Sequence, residues 1–263
     1  MSATPPPVRR DRRRLLQRAL AFLGSLSVSA CDRIAESERV NATLNGAEDW
    51  TRVSQRLLLG GHALAREYSE ADLSKEFRAN GTTRPDSEEY HQHVQTGFAN
   101  WQLSIGGLVD RPIELSLAEL RALPSRTQIT RHDCVEGWSA IAKWRGARLA
   151  PLLERAGLKA NARYIASYCA DTPELTLDGM GQYYETIDLT DAMHLQTILA
   201  YDMNDRPLPV ANGAPLRLRV ERQLGYKMAK YVMRIEAIES FGAIGLGKGG
   251  FWEDRGYQWY AGI

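Results

Sequence analysis

Cys134 lies in the stretch Arg131 to Trp144, "RHDCVEGWSAIAKW", between a strand-like run and a Gly-Trp-Ser turn. The 263-residue chain has three cysteines, so Cys31, Cys134 and Cys169 cannot all be paired within it. A buried free cysteine is ordinarily a small hydrophobe. Arg131 and His132 change that reading, because nearby cations favour a thiolate, which can act as a nucleophile or as a ligand to a soft metal. A zinc site would want more Cys and His at chelating intervals, and a cysteine hydrolase would want a dedicated base and orienter. A disulfide between Cys134 and Cys169 is a third reading.

A second block, "NGAPLRLRVERQLGYKMAKYV", begins at Asn212. Asn212 and Gly213 sit at a turn, Arg217 falls on the polar face of the next strand, and Lys227 and Lys230 lie three apart beyond Gly225. An arginine fork and a lysine point charge together suit a phosphate group, whereas the plainer reading makes them solvated strand-edge charges. A lone soft-ligand cysteine with a distant phosphate clamp points to a cofactor carrying both sulfur-bound metal and phosphate. Three other motifs are weaker. "GLGKGG" (Gly245 to Gly250) has the letters of a dinucleotide loop, but neither the helix after it nor the later acidic residue follows. His91 and His93 have chelating spacing without a third ligand nearby and read as surface residues. Asn80-Gly81-Thr82 reads as a turn whose polar groups bind something.

The elements that must position these residues are legible in outline. From Trp101 the chain alternates with period 2, Trp101, Leu103 and Ile105 on one face, which predicts a half-buried strand. Ser116 and Glu119 form a capping box that opens a short helix before Pro124, and "LAPLLERAGL" is a helix with Gly157 as its C-terminal cap. Strand patterns recur at "RYIASYCA", "APLRLRVE" and "VMRIEAI". Irregular alternation with long Gly-, Pro- and Asp-rich connections predicts an α+β domain with a mixed sheet. A chain with 44% apolar residues supports a core without disulfide staples, and a formal net charge of +1 excludes bulk electrostatic binding of nucleic acid.

The N-terminus reads as an address. "RRDRRRLLQR" (residues 9–18) precedes the short apolar run "ALAFLGSLSVSAC", and Arg12 and Arg13 resemble the pair of a twin-arginine export signal. "VSAC" resembles a lipobox, which would lipidate Cys31 and tether the mature protein to the outer face of the inner membrane in the periplasm; cleavage near Ala30 is the alternative. The expected organisation is a signal over residues 1–31, a tether over 32–56 and one domain over 57–263.

"CVEGWSAIAKWRG", "LAYDMNDRPLPVANGAPLRL", "GYKMAKYV" and "GFWEDRGYQWYAGI" resemble the molybdopterin-dependent oxidoreductases of the sulfite oxidase superfamily, in particular the exported bacterial branch that includes methionine sulfoxide reductase catalytic subunits. The resemblance runs from about Leu57 onward. It implies a mixed-sheet molybdopterin-binding domain of the sulfite oxidase type in which Cys134 ligates molybdenum. By the same resemblance Asn80, Thr82 and Thr83 would bind the pterin, Asn212 and Arg217 would hold it, and Lys230 with the Met228 and Ala229 backbone would grip its phosphate end. Cys169 matches a cofactor-side position that is Thr in some relatives. His132, beside the metal ligand, is either near the substrate or structural. Typical sulfite oxidases have a dimerisation domain after, and often a haem domain before, the molybdenum domain; this chain is expected to have neither and to exchange electrons with a separate cytochrome or quinone-linked membrane partner. The implied reaction is oxygen-atom transfer at a heteroatom, sulfoxide reduction first and sulfite oxidation as the alternative. A non-catalytic binding module on the same fold is the reading from a different class.

Overall fold

The computed structural model describes residues 37–60, 62–176 and 181–263. The chain divides into an N-terminal unit, Met1–Ser54, and a large unit, Gln55–Ile263. The expected signal and lipobox lie outside the described residues. Helix α1 (Glu38–Leu59) occupies most of the segment read as a tether, where Ala, Glu, Gln, Arg and Leu, all good helix formers, outweigh its polar composition. Among the described residues no helix is long and apolar enough to cross a membrane.

The large unit holds two sheets. One contains β1 (Gln102–Gly107), β2 (Ile113–Ser116), β5 (Tyr164–Cys169), β6 (Tyr184–Asp188) and β10 (Val232–Ile238), in the order β2-β1-β10-β5-β6. β1 and β10 run parallel, with Ser104 opposite Arg234, while the other neighbours are antiparallel, so the sheet is mixed as expected. The second contains β3 (Ser125–Cys134), β4 (Trp138–Arg148), β7 (Ile198–Met203) and β8 (Arg206–Pro207) in that order, and β9 (Arg217–Arg219) also pairs with β7. The inner faces share one apolar core, in which Leu103 and Ile105 of the first sheet join Leu199 and Leu218 of the second.

Short helices close the ends. α2 (Glu88–Gln95) is capped by Ser87, α3 (Leu117–Ala122) by the Ser116–Glu119 box, and α5 (Leu189–Ala192) by Asp188. α4 (Leu149–Ala156) buries Leu149, Leu152, Leu153 and Ala156 against the core and stops at Gly157, whose φ of +73° is the left-handed conformation glycine adopts freely. His91 and His93 lie on α2, and no group of three metal-ligating side chains occurs among the described residues. The "GLGKGG" loop binds the chain's own carboxylate: Leu246 N and Lys248 N donate to Asp254 at 2.9 and 3.1 Å.

Candidate active site

The alternation of β3 decides what surrounds its last residue. His132 and Cys134 are buried on one face, whereas Arg131 is exposed and pairs with Asp133 at 2.9 Å. Burial, followed by the charges of Arg217, Arg219 and Lys230, pushes the His132 imidazole well below its ordinary range, so it is neutral. The two cations that the sequence places beside the thiol therefore do not charge its surroundings. Burial and the Glu136 carboxylate push the Cys134 thiol up; the Glu136 backbone N–H, the Asn80 side chain and Arg217 work against them. Asn80 Nδ2 donates to Cys134 Sγ at 3.3 Å.

Cys134 opens into a cavity of about 150 Å³. Asn80, Gly81 and Thr82 form one edge, Val135 and Glu136 of the β3–β4 turn another, and Asp171 and Tyr183 the β5–β6 side. Arg217, Gly225, Met228 and Lys230 complete the interior, and Tyr226, Trp252 and Tyr257 add an aromatic wall. Of the residues expected at the site, Cys134, Asn80, Thr82, Arg217, Met228 and Lys230 thus meet at one place. Thr83 is exposed and outside the lining. Asn212 is buried beside Arg217, its carbonyl accepting from Arg217 Nη1 at 3.1 Å. Ala229 and Cys169 lie in the apolar core, and burial pushes the Cys169 thiol well up. Both Cys134 and Cys169 are free thiols, which removes the disulfide reading.

Arg217 corrects a second expectation. It does not project to solvent: it is 2% exposed, because β9 lies inside the fold with both faces covered. Burial and then the neighbouring Arg219 charge push its guanidinium down to about 9, so it stays charged at neutral pH. No carboxylate pairs with it within 4 Å among the described residues. Lys230 is pushed down to about 7, by burial first and by Arg217 next. Its Nζ donates to three backbone carbonyls, those of Asn80 (2.8 Å), Thr82 and Ala211 (3.3 Å), so it ties the Asn80–Thr82 loop to the turn before β9.

Beneath the cavity runs a polar scaffold that the sequence reading missed. Arg219 grips Glu221 with two bonds of 2.9 and 2.6 Å, Gln128 Nε2 donates to Glu221 at 2.9 Å, and Arg219 Nη1 lies 3.2 Å from His132 Nδ1. A guanidinium can only donate, so His132 Nδ1 accepts and the ring proton sits on Nε2. The ring also packs against Phe77 and Trp138, with Nδ1 3.3 Å from the Met228 Sδ, and it is outside the cavity lining. The available signal was the Arg-Val-Glu spacing, which puts Arg219 and Glu221 on one face of the extended chain. Asp171 was missed too; burial raises its carboxyl to about 6.

Whether a molybdopterin group suits these residues can be judged from their unmet bonding. Arg217 Nε, Asn212 Nδ2 and Asp171 Oδ1 are buried with no hydrogen-bond partner among the described residues. Donors, an acceptor, a guanidinium without a carboxylate partner and a soft sulfur at one cavity fit an anionic, hydrogen-bonding pterin with a thiolate-bound metal.

Residues 91–241 match the family model of the oxidoreductase molybdopterin binding domain. The chain is 34% identical over 251 residues to a putative protein-methionine-sulfoxide reductase subunit of Azospira oryzae, covering 95% of this chain and 87% of that protein. It is 30% identical over 252 residues to the protein-methionine-sulfoxide reductase catalytic subunit of Xanthomonas axonopodis pv. citri, covering 90% and 72%. Among solved structures, the sulfane dehydrogenase SoxCD of Paracoccus pantotrophus matches with a TM-score of 0.48 at 21% identity, over 54% of this chain and 39% of that one.

Proposed function

The chain belongs to the oxidoreductase molybdopterin binding domain family, and from that premise we propose that it is a molybdenum–molybdopterin enzyme that reduces a sulfoxide to the thioether. The names of its relatives support the substrate class, and the observation that carries it in this chain is the cavity's combination of two chemistries. Cys134, Arg217 and Lys230 line it together with Tyr226, Trp252 and Tyr257, three rings that pack on one another.

When bound, the group supplies two-electron oxygen-atom transfer through a metal for which Cys134 provides a thiolate. Arg217 and Asn212 would hold the pterin with their unpaired N–H groups. Lys230 fixes the carbonyls of the Asn80–Thr82 loop, and Asn80 donates to the Cys134 sulfur, which orients that ligand and moderates its electron donation. The aromatic wall excludes water and receives the S-alkyl group of a neutral sulfoxide, since sulfur packs favourably against aromatic rings. Sulfite is less well suited, because the Glu136 carboxylate is among the groups lining the cavity and would repel an anion. The overall change takes two electrons and two protons per sulfoxide and releases thioether and water.

The electrons would come from a separate cytochrome or quinone-linked membrane protein. The basic block before the apolar run, and Cys31 at its end, support export to the periplasm and lipid anchoring there. The test is anaerobic turnover by protein purified from a host that makes the cofactor, with reduced viologen and N-acetylmethionine sulfoxide in one arm and sulfite with ferricyanide in the other. Viologen oxidation in the first arm, lost in Cys134→Ser together with bound molybdenum, is the expected result. Metal-loaded protein that oxidises only sulfite, or turns over neither, would overturn the proposal.

A further inference from the structure

The C-terminal segment reaches the cavity held from two sides. Phe251 N donates to Tyr184 O at 3.0 Å and Thr186 N to Gly249 O at 3.1 Å, so the segment lies along β6. Asp254 is gripped by the Tyr184 hydroxyl at 2.7 Å and by the backbone of the glycine-rich loop. Its neighbour Glu253 turns inward and meets Lys227, whose Nζ donates to Glu253 Oε1 and Glu185 Oε1 at 2.5 Å each. All three side chains are at most 1% exposed. Trp252 and Tyr257, on either side of this anchor, stack on each other at 5.4 Å between ring centres. Tyr226, next to Lys227 in sequence, stands edge-on to Tyr257 at 5.2 Å.

One ammonium thus ties both parts that build the aromatic wall. Well-packed apolar residues of similar volume often replace a buried ion pair at no loss of stability, since burying the pair is costly. What the ion pair adds is direction, because each carboxylate must meet Nζ at hydrogen-bond distance. We propose that Lys227 is a positioning residue that, through Glu185 and Glu253, fixes the C-terminal segment so that Trp252 and Tyr257 present a set surface to the sulfoxide's alkyl group. This rests on the reading of the cavity as a sulfoxide site.

The test compares the cofactor-loaded enzyme with Lys227→Met, Trp252→Ala and the double variant, using N-acetylmethionine sulfoxide. Lys227→Met is expected to raise KM roughly 10-fold while kcat and molybdenum content stay near those of the native enzyme, the pattern of lost uniform binding. The double variant is expected to be worse than either single variant by less than the product of their effects, because Lys227 acts in part through that ring. Amide hydrogen exchange over residues 250–257 is expected to rise in Lys227→Met whether or not the enzyme turns over. Glu253→Leu leaves the Lys227–Glu185 pair intact and serves if Lys227→Met does not fold; it too is expected to raise KM. An unchanged KM in the variant that folds, or effects that multiply in the double variant, would overturn the proposal. Native enzyme that lacks sulfoxide turnover sinks the functional reading instead, and the exchange measurement then judges the clamp alone, unchanged exchange overturning it.

Discussion

Arg217 and Lys230 bring positive charge into the interior without an ion pair to either among the described residues. The chain therefore carries an electrostatic debt in its cofactor-free form, and Lys230 makes it measurable. Its folded pKa of about 7 lies below the ordinary lysine value of 10.5. Below pH 7 both folded and unfolded chains bind this proton; above it the unfolded chain binds one that the folded chain does not, so stability rises with pH from about 7 toward 10.5. Urea unfolding of the cofactor-free protein at pH 7 and pH 8.5 is expected to show this rise, and Lys230→Met to lack it, the difference between the two proteins cancelling the other titrating groups. The identity of these cations was legible in "NGAPLRLR" and "KMAKY", but their direction was not. Alternation says which residues share a face, and only the covering of β9 on both sides determines that neither face meets water. The same limit hid Arg219 and Glu221, and it made Arg131 look like a neighbour of the Cys134 thiol when it points the other way.

Local signals served best for elements whose ends are set by their own side chains. Ser116 with Glu119 and the glycine at 157 mark helix ends because caps act within one turn. Pairing is another matter: β1 lies beside β10, with Ser104 opposite Arg234, and no local pattern encodes a partner so distant in sequence. The 3₁₀ turn Gly225–Lys227 belongs to this second kind. It crosses β3 so closely that a Cβ on Gly225 would overlap the His132 ring, which Arg219 and Met228 already fix in place. Gly225→Ala must therefore push the turn outward or the ring off its bonds, and overpacking of this sort costs about 1–3 kcal/mol. Chemical denaturation is expected to show that loss. Since Gly225 and Met228 both line the cavity, the variant is also expected to retain less molybdenum after gel filtration.

For the whole molecule, near-neutral net charge conceals an uneven distribution. The chain totals +1, yet Arg217 and Lys230, largely buried cations without an ion pair among the described residues, line one cavity. Such an arrangement suits an anionic occupant, because an anion that neutralises Arg217 and Lys230 binds the folded chain and has no comparable site in the unfolded one. Ligand linkage then requires loading to raise stability by about 4 kcal/mol at a thousandfold excess over Kd, roughly 10 °C for a domain of this size. Calorimetry of loaded and cofactor-free protein is expected to show a shift of that order, and Arg217→Met is expected to abolish most of it while leaving the cofactor-free protein at least as stable as the native chain, since it removes a buried unpaired charge. The second half of that expectation separates the enzyme from a binding module on the same fold. A module with no anionic resident has no reason to keep the guanidinium buried, so a native chain that gains nothing from the cofactor while Arg217→Met loses stability would make the arginine structural and the cavity something other than a molybdopterin site.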